Sequence, residues 1–396
     1  MLERKSEEPT VAVKLFVDKE RSKVLFAESG NEFVDVLFGF LTLPLGAVVR
    51  LFGKQSQLGC LDEVYKSVED LSTDYFQTEE HKTMLLEPFI DDAAILCDKL
   101  KVKIDTDLRD VGQRPQCAVN TAAADSNGVF VEGCFKFIIT DDLQIAPAST
   151  SLMLSLFEKF GVRDPAFLEQ KILQLNAEKI TSLLKRSLTT KQALTAFYFN
   201  APCTNDDSYL YMLPENLHSE QEADVDNKQR NVKIKVLQTK NNLSLLYAEV
   251  GVDFIDLLFG LLCIPLGSII RVYGDRSSNR CVDNICKSVV GGAKGCMNPQ
   301  RQWFLQSPCV VRREYVKPGV QKFMVTDDLR VLPLSLTSTV QVVTESKYQS
   351  KDLVEKEFNM TKAQVMELLR AAVVTRNTLS SVLLPPREKS EMMIYD

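Results

Sequence analysis

The chain has 396 residues, of which 45% are hydrophobic and 25% are charged, a mixture typical of a soluble globular protein with two or three domains. Its formal net charge is −6, which leaves no overall basic surface, so we expect no nucleic-acid partner. The charged N-terminus has no apolar signal segment, and the ten cysteines are therefore expected as reduced thiols in the cytoplasm or the nucleus.

The first elements predict a β-hairpin followed by an apolar helical segment. Strands over Val11–Val17 and Lys23–Ala27 flank a polar turn. Residues 31–52 are apolar on every side of a helix, over a length that could be buried or could cross a bilayer. Pro44, with glycines near it, favours two short buried helices over 31–42 and 44–52, because proline opens a helix and interrupts a longer one. We expect no membrane span.

Further elements follow in the first part of the chain. Cys60–Leu71 predicts a short amphipathic helix, and residues 69–134 form an insertion with a polar, loop-like part. Lys136–Ser149 predicts a strand, a turn at Thr140-Asp141-Asp142-Leu143, and a second strand. A helical pattern returns over 178–198.

The same pattern then occurs a second time. Residues 25–68 align without a gap with residues 246–289, and 21 of the 44 aligned positions are identical. A second strand–turn–strand segment is centred on Thr326-Asp327-Asp328-Leu329, and a second helical pattern covers 363–382. The chain therefore contains an internal tandem duplication.

These elements predict the domain plan. The first repeat covers 10–200 with the insertion 69–134, an acidic linker covers 201–230, the second repeat covers 231–385, and a tail covers 386–396. The linker holds seven acidic and two basic residues, which is typical of a solvated tether. We expect an α+β fold of two homologous domains with pseudo-two-fold symmetry, each with short antiparallel strands and an apolar helical hairpin.

Three motifs carry a resemblance to a known family. Ala27-Glu28-x-Gly30-x-x-Phe33-x-Asp35, Leu41-Thr42-Leu43-Pro44-Leu45-Gly46 and Thr140-Asp141-Asp142-Leu143 resemble the plant family catalogued as domain of unknown function 674. The resemblance extends over both copies and implies no established activity. It also implies closely spaced cysteines in the insertion, similar to a small zinc-binding loop. This chain departs from that pattern, because its insertion holds only Cys97, Cys117 and Cys134, with no Cys-x-x-Cys pair.

The doubled aspartates are the main candidate site. Asp141, Asp142, Asp327 and Asp328 could bind a ligand or a partner, or act as paired carboxylates in acid–base chemistry. The alternative is structural, since aspartate favours tight turns by bonding to nearby backbone. Asp35 with Arg50, and Asp256 with Arg271, could likewise anchor a ligand or form structural ion pairs.

Cysteine and histidine chemistry is weakly indicated. Cys60 and Cys281 occupy equivalent positions at helix starts and are expected to be buried and inert. Cys281, Cys286, Cys296 and Cys309 have no zinc-site spacing, and the only histidines are His81 and His218. We therefore expect no bound metal and no cofactor.

The sequence favours a non-enzymatic binding or scaffolding protein with a protein or small-molecule partner. One alternative is an enzyme that uses the paired aspartates in a site between the repeats. The other is a metal-binding regulator with a degenerate zinc site.

Overall fold

The computed structural model describes residues 8–88, 99–102, 128–133, 136–164, 168–201, 232–241, 244–273, 281–291, 293–306, 314–346 and 348–384. Over these residues the chain forms helices and two antiparallel five-stranded sheets, which makes the protein α+β, as the sequence predicts. The linker after Ala201, the tail 386–396 and most of the insertion lie outside the described residues.

The strands belong to two groups of five. They are β1 (Val11–Asp18), β2 (Lys23–Ser29), β3 (Phe137–Thr140), β4 (Ile145–Pro147), β5 (Glu169–Leu175), β6 (Val232–Thr239), β7 (Leu245–Val250), β8 (Phe323–Thr326), β9 (Val331–Pro333) and β10 (Leu353–Met360).

The helices are mostly short. They are α1 (Asn31–Gly39), α2 (Leu45–Leu51), α3 (Leu61–Asp70), α4 (Glu79–Leu86), α5 (Thr150–Phe160), α6 (Ala177–Thr189), α7 (Ala193–Tyr198), α8 (Val252–Gly260), α9 (Leu266–Tyr273), α10 (Cys281–Val290), α11 (Pro299–Gln306), α12 (Leu336–Ser346), α13 (Lys362–Val374) and α14 (Thr378–Leu383). Single 3₁₀ turns occupy Phe40–Thr42, Thr73–Tyr75, Leu261–Cys263, Lys294–Cys296 and Ser350–Asp352.

The chain divides into two compact units, each made of three segments. Unit 1 consists of Met1–Leu51, Phe89–Asn205 and Ile264–Val310. Its strands lie in the order β4-β3-β2-β1-β5, and each neighbouring pair is antiparallel. Helices α9, α10 and α11, which belong to the second sequence copy, are therefore part of the unit that holds the sheet of the first copy.

Unit 2 likewise combines segments of both sequence copies. It consists of Phe52–Pro88, Asp206–Cys263 and Val311–Asp396, so it holds the sheet of the second copy together with α3 and α4 of the first. Its strands lie in the order β9-β8-β7-β6-β10, which is the topology of unit 1 with each strand replaced by its equivalent. The equivalent helices α3 and α10 are thus exchanged between the sequence copies, whereas α9 and its equivalent α2 both belong to unit 1.

Hydrogen bonds fix the exchanged helices in equivalent ways. In unit 1 the backbone N–H of Ile145 in β4 donates to the Ser288 hydroxyl of α10 at 2.9 Å. In unit 2 the N–H of Val331 in β9 donates to the Ser67 hydroxyl of α3 at 2.8 Å. Burial of both donors makes each bond necessary, because an unsatisfied buried N–H is costly.

Each sheet is also covered on its outer face by one helix. In unit 1, α5 packs its Leu156 against Leu25, Phe26 and Ile138. In unit 2, α12 packs the equivalent Val342 against sheet residues of the second copy, namely Leu246, Tyr247 and Met324. The other face of β1 is buried along its length, as the alternation of its apolar residues requires.

The apolar segment 31–52 forms the predicted pair of short helices. Helix α1 ends at Gly39, a 3₁₀ turn follows, and α2 begins directly after Pro44. Gly53 follows α2 with a left-handed φ of 60°, as expected of a glycine that ends a helix. Among the described residues, no helix is both long enough and apolar enough to span a membrane.

Candidate functional site

The Thr-Asp-Asp-Leu motif forms the turn of the β3–β4 hairpin. The N–H of Leu143 donates to the Thr140 carbonyl at 2.9 Å, and the N–H of Thr140 donates to the Gln144 carbonyl at 3.0 Å. Leu143 has a φ of 62° and a fully buried side chain. This is a three-residue hairpin loop, in which a type I turn is followed by a left-handed residue. The β8–β9 hairpin has the same form, with Leu329 at a φ of 63°.

The side chain of Asp141 extends from this turn to the N-terminus of helix α7 and caps it. Its two carboxylate oxygens accept the N–H of Thr195 at 2.7 Å and the Thr195 hydroxyl at 2.8 Å. Its own carbonyl accepts the N–H of Leu194 at 3.3 Å. Burial raises the pKa of Asp141 to about 6, although both bonds from Thr195 act to lower it. The carboxylate therefore satisfies helix N-terminal donors that α7 cannot satisfy itself.

Asp327 repeats this arrangement in unit 2. It accepts the N–H of Ser380 at 2.7 Å and the Ser380 hydroxyl at 2.6 Å, and so caps α14. Burial raises its pKa as well. The first aspartate of each doublet is therefore a helix cap supplied by a distant turn, with a threonine or a serine as the matching hydroxyl.

The second aspartate of each doublet bonds within its own turn. Asp142 accepts the Thr140 hydroxyl and, at 2.9 Å, the side-chain amide of Gln144. Asp328 accepts the Thr326 hydroxyl. One doublet belongs to unit 1 and the other to unit 2. A ligand role for the four aspartates stays a prediction of the sequence.

Asp35 is a third kind of buried carboxylate. It accepts backbone N–H bonds from three consecutive residues, Val129 at 2.6 Å, Phe130 at 2.7 Å and Val131 at 3.0 Å. Burial raises its pKa to about 6, against the opposing effect of these bonds and of Arg301. The cation that acts on Asp35 is Arg301, and not the Arg50 considered from the sequence. Arg301 also donates to the carbonyls of Gly128 and Val129.

Asp256 takes the same role in unit 2. Its Oδ1 accepts the N–H of Tyr315 at 2.8 Å and the N–H of Val316 at 2.9 Å, and burial raises its pKa. Asp35 and Asp256 therefore each fasten a strand-like segment to the helix that carries them. Both copies thus use this aspartate in the same structural way.

The equivalent cysteines are buried, as the sequence predicts. The Cys60 thiol donates to the Thr375 carbonyl at 3.0 Å, and the Cys281 thiol donates to the Thr190 carbonyl at 3.1 Å. Burial raises the pKa of each thiol to about 12, so neither forms a thiolate near neutral pH. Cys60 and Cys281 are packing residues of the exchanged helices.

Metal-ligating side chains do not cluster in the described part of the chain. No three residues among its histidines, cysteines, aspartates and glutamates lie close enough together to hold an ion. The sequence candidates Cys97, Cys117, Cys134, Cys309 and His218 lie outside the described residues. The absence of zinc and of a cofactor therefore stays a prediction.

Sequence reasoning missed a pair of exposed apolar residues on the outer helices. Leu154 of α5 is 58% exposed, and Val340, at the equivalent position of α12, is 57% exposed. Two residues further along, Leu156 and Val342 are each 5% exposed and face the sheets. The sequence signal for these residues was the helical spacing that follows the capping serines Ser149 and Ser335. An apolar residue that lies outside the buried stripe of such a helix faces solvent.

A protein-family model matches the chain in three overlapping segments. Residues 7–110, 108–317 and 300–395 match the model of a family described as "Protein of unknown function (DUF674)". These overlapping matches extend over nearly the whole chain and confirm the resemblance carried by the three motifs. No curated protein and no solved structure matches the chain.

Proposed function

The chain belongs to this family of unknown function, and we propose that it is a non-enzymatic binding protein that scaffolds protein partners. Its contact surfaces are the outer faces of α5 in unit 1 and of α12 in unit 2. The partner surface is apolar, because the residues that this proposal rests on are aliphatic. The observation that carries the proposal is the matched exposure of Leu154 and Val340 at equivalent positions.

Single exposed apolar residues are common on protein surfaces and need no explanation. The pair here is more informative, because both sequence copies keep a large aliphatic residue at one exposed position. Leu336 lies one turn before Val340 on α12 and is also exposed, which widens the apolar surface of unit 2. Two similar surfaces on one chain suit a scaffold, since two linked sites bind more tightly than one.

The use of the buried carboxylates supports a binding role over an enzymatic one. Asp35, Asp141, Asp256 and Asp327 each accept at least two hydrogen bonds from backbone or hydroxyl donors. A general acid or base must reach the proton that it transfers, and carboxylates committed to helix caps and to chain segments are poorly placed for that task.

The described cysteines support the proposed location in the cytoplasm or the nucleus. No disulfide joins Cys60, Cys281, Cys286 or Cys296 to another described residue. Reduced thiols are the expected state in those compartments.

The test compares matched lysine variants of the full chain. Leu154→Lys together with Val340→Lys places a charge on each proposed surface. Ser155→Lys together with Gln341→Lys adds the same charge one residue further along each helix, at exposed polar positions. Each form is expressed in its native tissue with a proximity-labelling enzyme, and labelled proteins are quantified by mass spectrometry.

We expect at least one protein that is labelled equally by the wild type and the Ser155/Gln341 variant, and about tenfold less by the Leu154/Val340 variant. A tenfold loss corresponds to about 1.4 kcal/mol, which is less than the ~1.5–3 kcal/mol that full burial of one aliphatic side chain contributes. A labelled set that is identical for all three forms would overturn the proposal.

A further inference from the structure

Strand β5 lies at the edge of the sheet in unit 1. The sheet order ends at β5, which pairs with β1 over its whole length, from Val11 opposite Leu175 to Val17 opposite Glu169. Among the described residues, no other strand pairs with β5. An edge strand presents a row of backbone groups that can pair with a further strand.

The outward-facing backbone groups of β5 can be identified. The Gln174 carbonyl accepts the Lys179 ammonium at 2.9 Å, so this carbonyl points away from β1. Backbone groups alternate in direction along an antiparallel strand, so those of Ile172 and Gln170 face the free edge as well. Lys179 is an exposed side chain that can turn to solvent when a strand takes its place.

The centre of this edge is apolar. Ile172 is 69% exposed, although it lies in the middle of a strand whose neighbour in the register is Lys14. In unit 2 the equivalent strand is β10, and there Lys235 faces Glu357. Lys235 bonds to Glu355 at 2.9 Å and lies 3.9 Å from Glu357. One edge therefore exposes isoleucine where its equivalent exposes a charged glutamate.

We propose that β5 pairs in antiparallel register with β5 of a second copy of this chain, centred on Ile172. This pairing goes beyond the proposed scaffold function and uses a different surface. Each Ile172 would face its equivalent in a hydrogen-bonded pair, since both its N–H and its carbonyl point outward. A two-fold symmetric contact of this kind closes on itself and yields a dimer rather than a fibre.

The side chains of β5 are complementary to themselves in this register. Gln170 faces Gln174, Lys171 faces Leu173, and Glu169 faces Leu175, so no like charges lie opposite each other. Glu169 and Lys171 also neutralise each other at 2.8 Å within one strand.

The same register applied to β10 gives the opposite result. It would place Glu357 directly opposite Glu357, which is destabilising, and charged edge residues are a common protection against strand pairing. The charge pattern therefore selects the edge of unit 1 over the edge of unit 2.

The first test measures the assembly state of the full chain. Sedimentation velocity over about 1–100 μM, a range suited to a micromolar Kd, should show a reversible monomer–dimer equilibrium. Ile172→Glu should raise the Kd at least about tenfold, because it places like charges opposite each other across the pair. Glu357→Lys changes the equivalent exposed position of β10 and should leave the Kd unchanged.

A second test locates the contact independently of affinity. In Ile172→Cys the Cα atoms of the two introduced cysteines would be about 5.5 Å apart, a separation that a disulfide can bridge. Mild oxidation should give a covalent dimer that Glu357→Cys and the wild type do not give.

A wild-type chain that remains monomeric over this range overturns the proposal, and so does a dimer that Ile172→Glu leaves intact. Capture of an extended peptide of another protein at β5 by a chain that stays monomeric also overturns it. Failure here leaves the labelling result for Leu154 and Val340 unaffected, so the two proposals can be judged separately.

Discussion

The hydroxyl of Ser67 accepts a hydrogen bond from the backbone N–H of Val331, a residue 264 positions later in the chain. Ser288 and Ile145 form the equivalent bond in the other unit. Both bonds join a helix of one sequence copy to the sheet of the other. In each unit a serine hydroxyl thus fixes the helix to the sheet, in addition to apolar packing.

Replacement of these serines should destabilise one unit at a time. Ser67→Ala leaves the buried N–H of Val331 without its acceptor, and we expect a loss of about 1–3 kcal/mol in the free energy of unfolding of unit 2. Ser288→Ala should have the same effect on unit 1. Hydrogen exchange read by mass spectrometry can assign each loss to its unit. A loss spread evenly over both units for each variant would contradict this expectation.

A cut in the acidic linker should leave the two halves of the chain associated. A protease site inserted after Glu220 separates the copies covalently, but each unit still contains helices from both halves. We expect the two fragments to elute together from a size-exclusion column in native buffer and to separate in denaturant. Two folded fragments that elute apart in native buffer would show that the halves are independent.

The buried cap at Asp141 should make stability depend on pH. Its pKa is raised in the folded state from 3.8 to about 6, so the fold binds a proton that the unfolded chain releases. The resulting stabilisation is fully present below pH 3.8 and is lost as the pH rises to about 6.

A pKa that is higher by about two in the folded state corresponds to a stabilisation of at most about 3 kcal/mol. The side chain introduced by Asp141→Asn does not titrate. The wild type should therefore lose stability relative to the variant between pH 4 and pH 7. Urea unfolding at a series of pH values measures the difference. Parallel profiles of the two proteins would show that Asp141 titrates normally in the fold.

Replacement of Leu143 by glycine should destabilise the protein, although the left-handed backbone at this position favours glycine. Glycine would relieve a left-handed φ of 62°, a gain of about 1 kcal/mol, but it would also empty a fully buried leucine site, at a cost of about 2–5 kcal/mol. We expect Leu143→Gly to be destabilising by thermal and urea unfolding.

Ser22 provides the matched control for this change. It has a φ of 49° in the turn of the β1–β2 hairpin, but its side chain is exposed. Ser22→Gly should therefore be neutral or slightly stabilising. Equal losses for both variants would mean that backbone freedom, and not burial, determines the result.

Local pattern predicted much of the secondary structure. The first hairpin, the two helices around Pro44 and the strand–turn–strand segment at Thr140 lie where alternation and turn residues place them. The helix predicted over 178–198 is in fact two helices, α6 and α7, with the chain between them turned so that Asp141 can cap the second.

The edge strands β5 and β10 were not predicted. At least half of the residues in each are polar, with the sequences Glu-Gln-Lys-Ile-Leu-Gln-Leu and Leu-Val-Glu-Lys-Glu-Phe-Asn-Met. An edge strand is partly solvated and can carry polar residues on both faces, so it lacks the apolar alternation by which a central strand is recognised.

The exchange of helices could not be predicted from one sequence. Ser67 and Ser288 are equivalent residues, and so are Ile145 and Val331, so exchanged and unexchanged pairings join the same residue types. The contacts of the candidate site could not be predicted from one sequence either. Aspartate in a turn was expected, but its helix-capping partners Thr195 and Ser380 lie more than 50 residues away in the chain.

The exchange also sets the order in which the protein can be completed during its synthesis. All five strands of the first sheet have been translated by Leu175, but the helix that covers β4 begins only at Cys281. At ~5–20 residues per second a ribosome needs roughly 5–20 seconds to make the intervening chain. Throughout that interval β4 lacks the helix that covers it, so newly made chains should be substrates for the chaperones that bind at the ribosome.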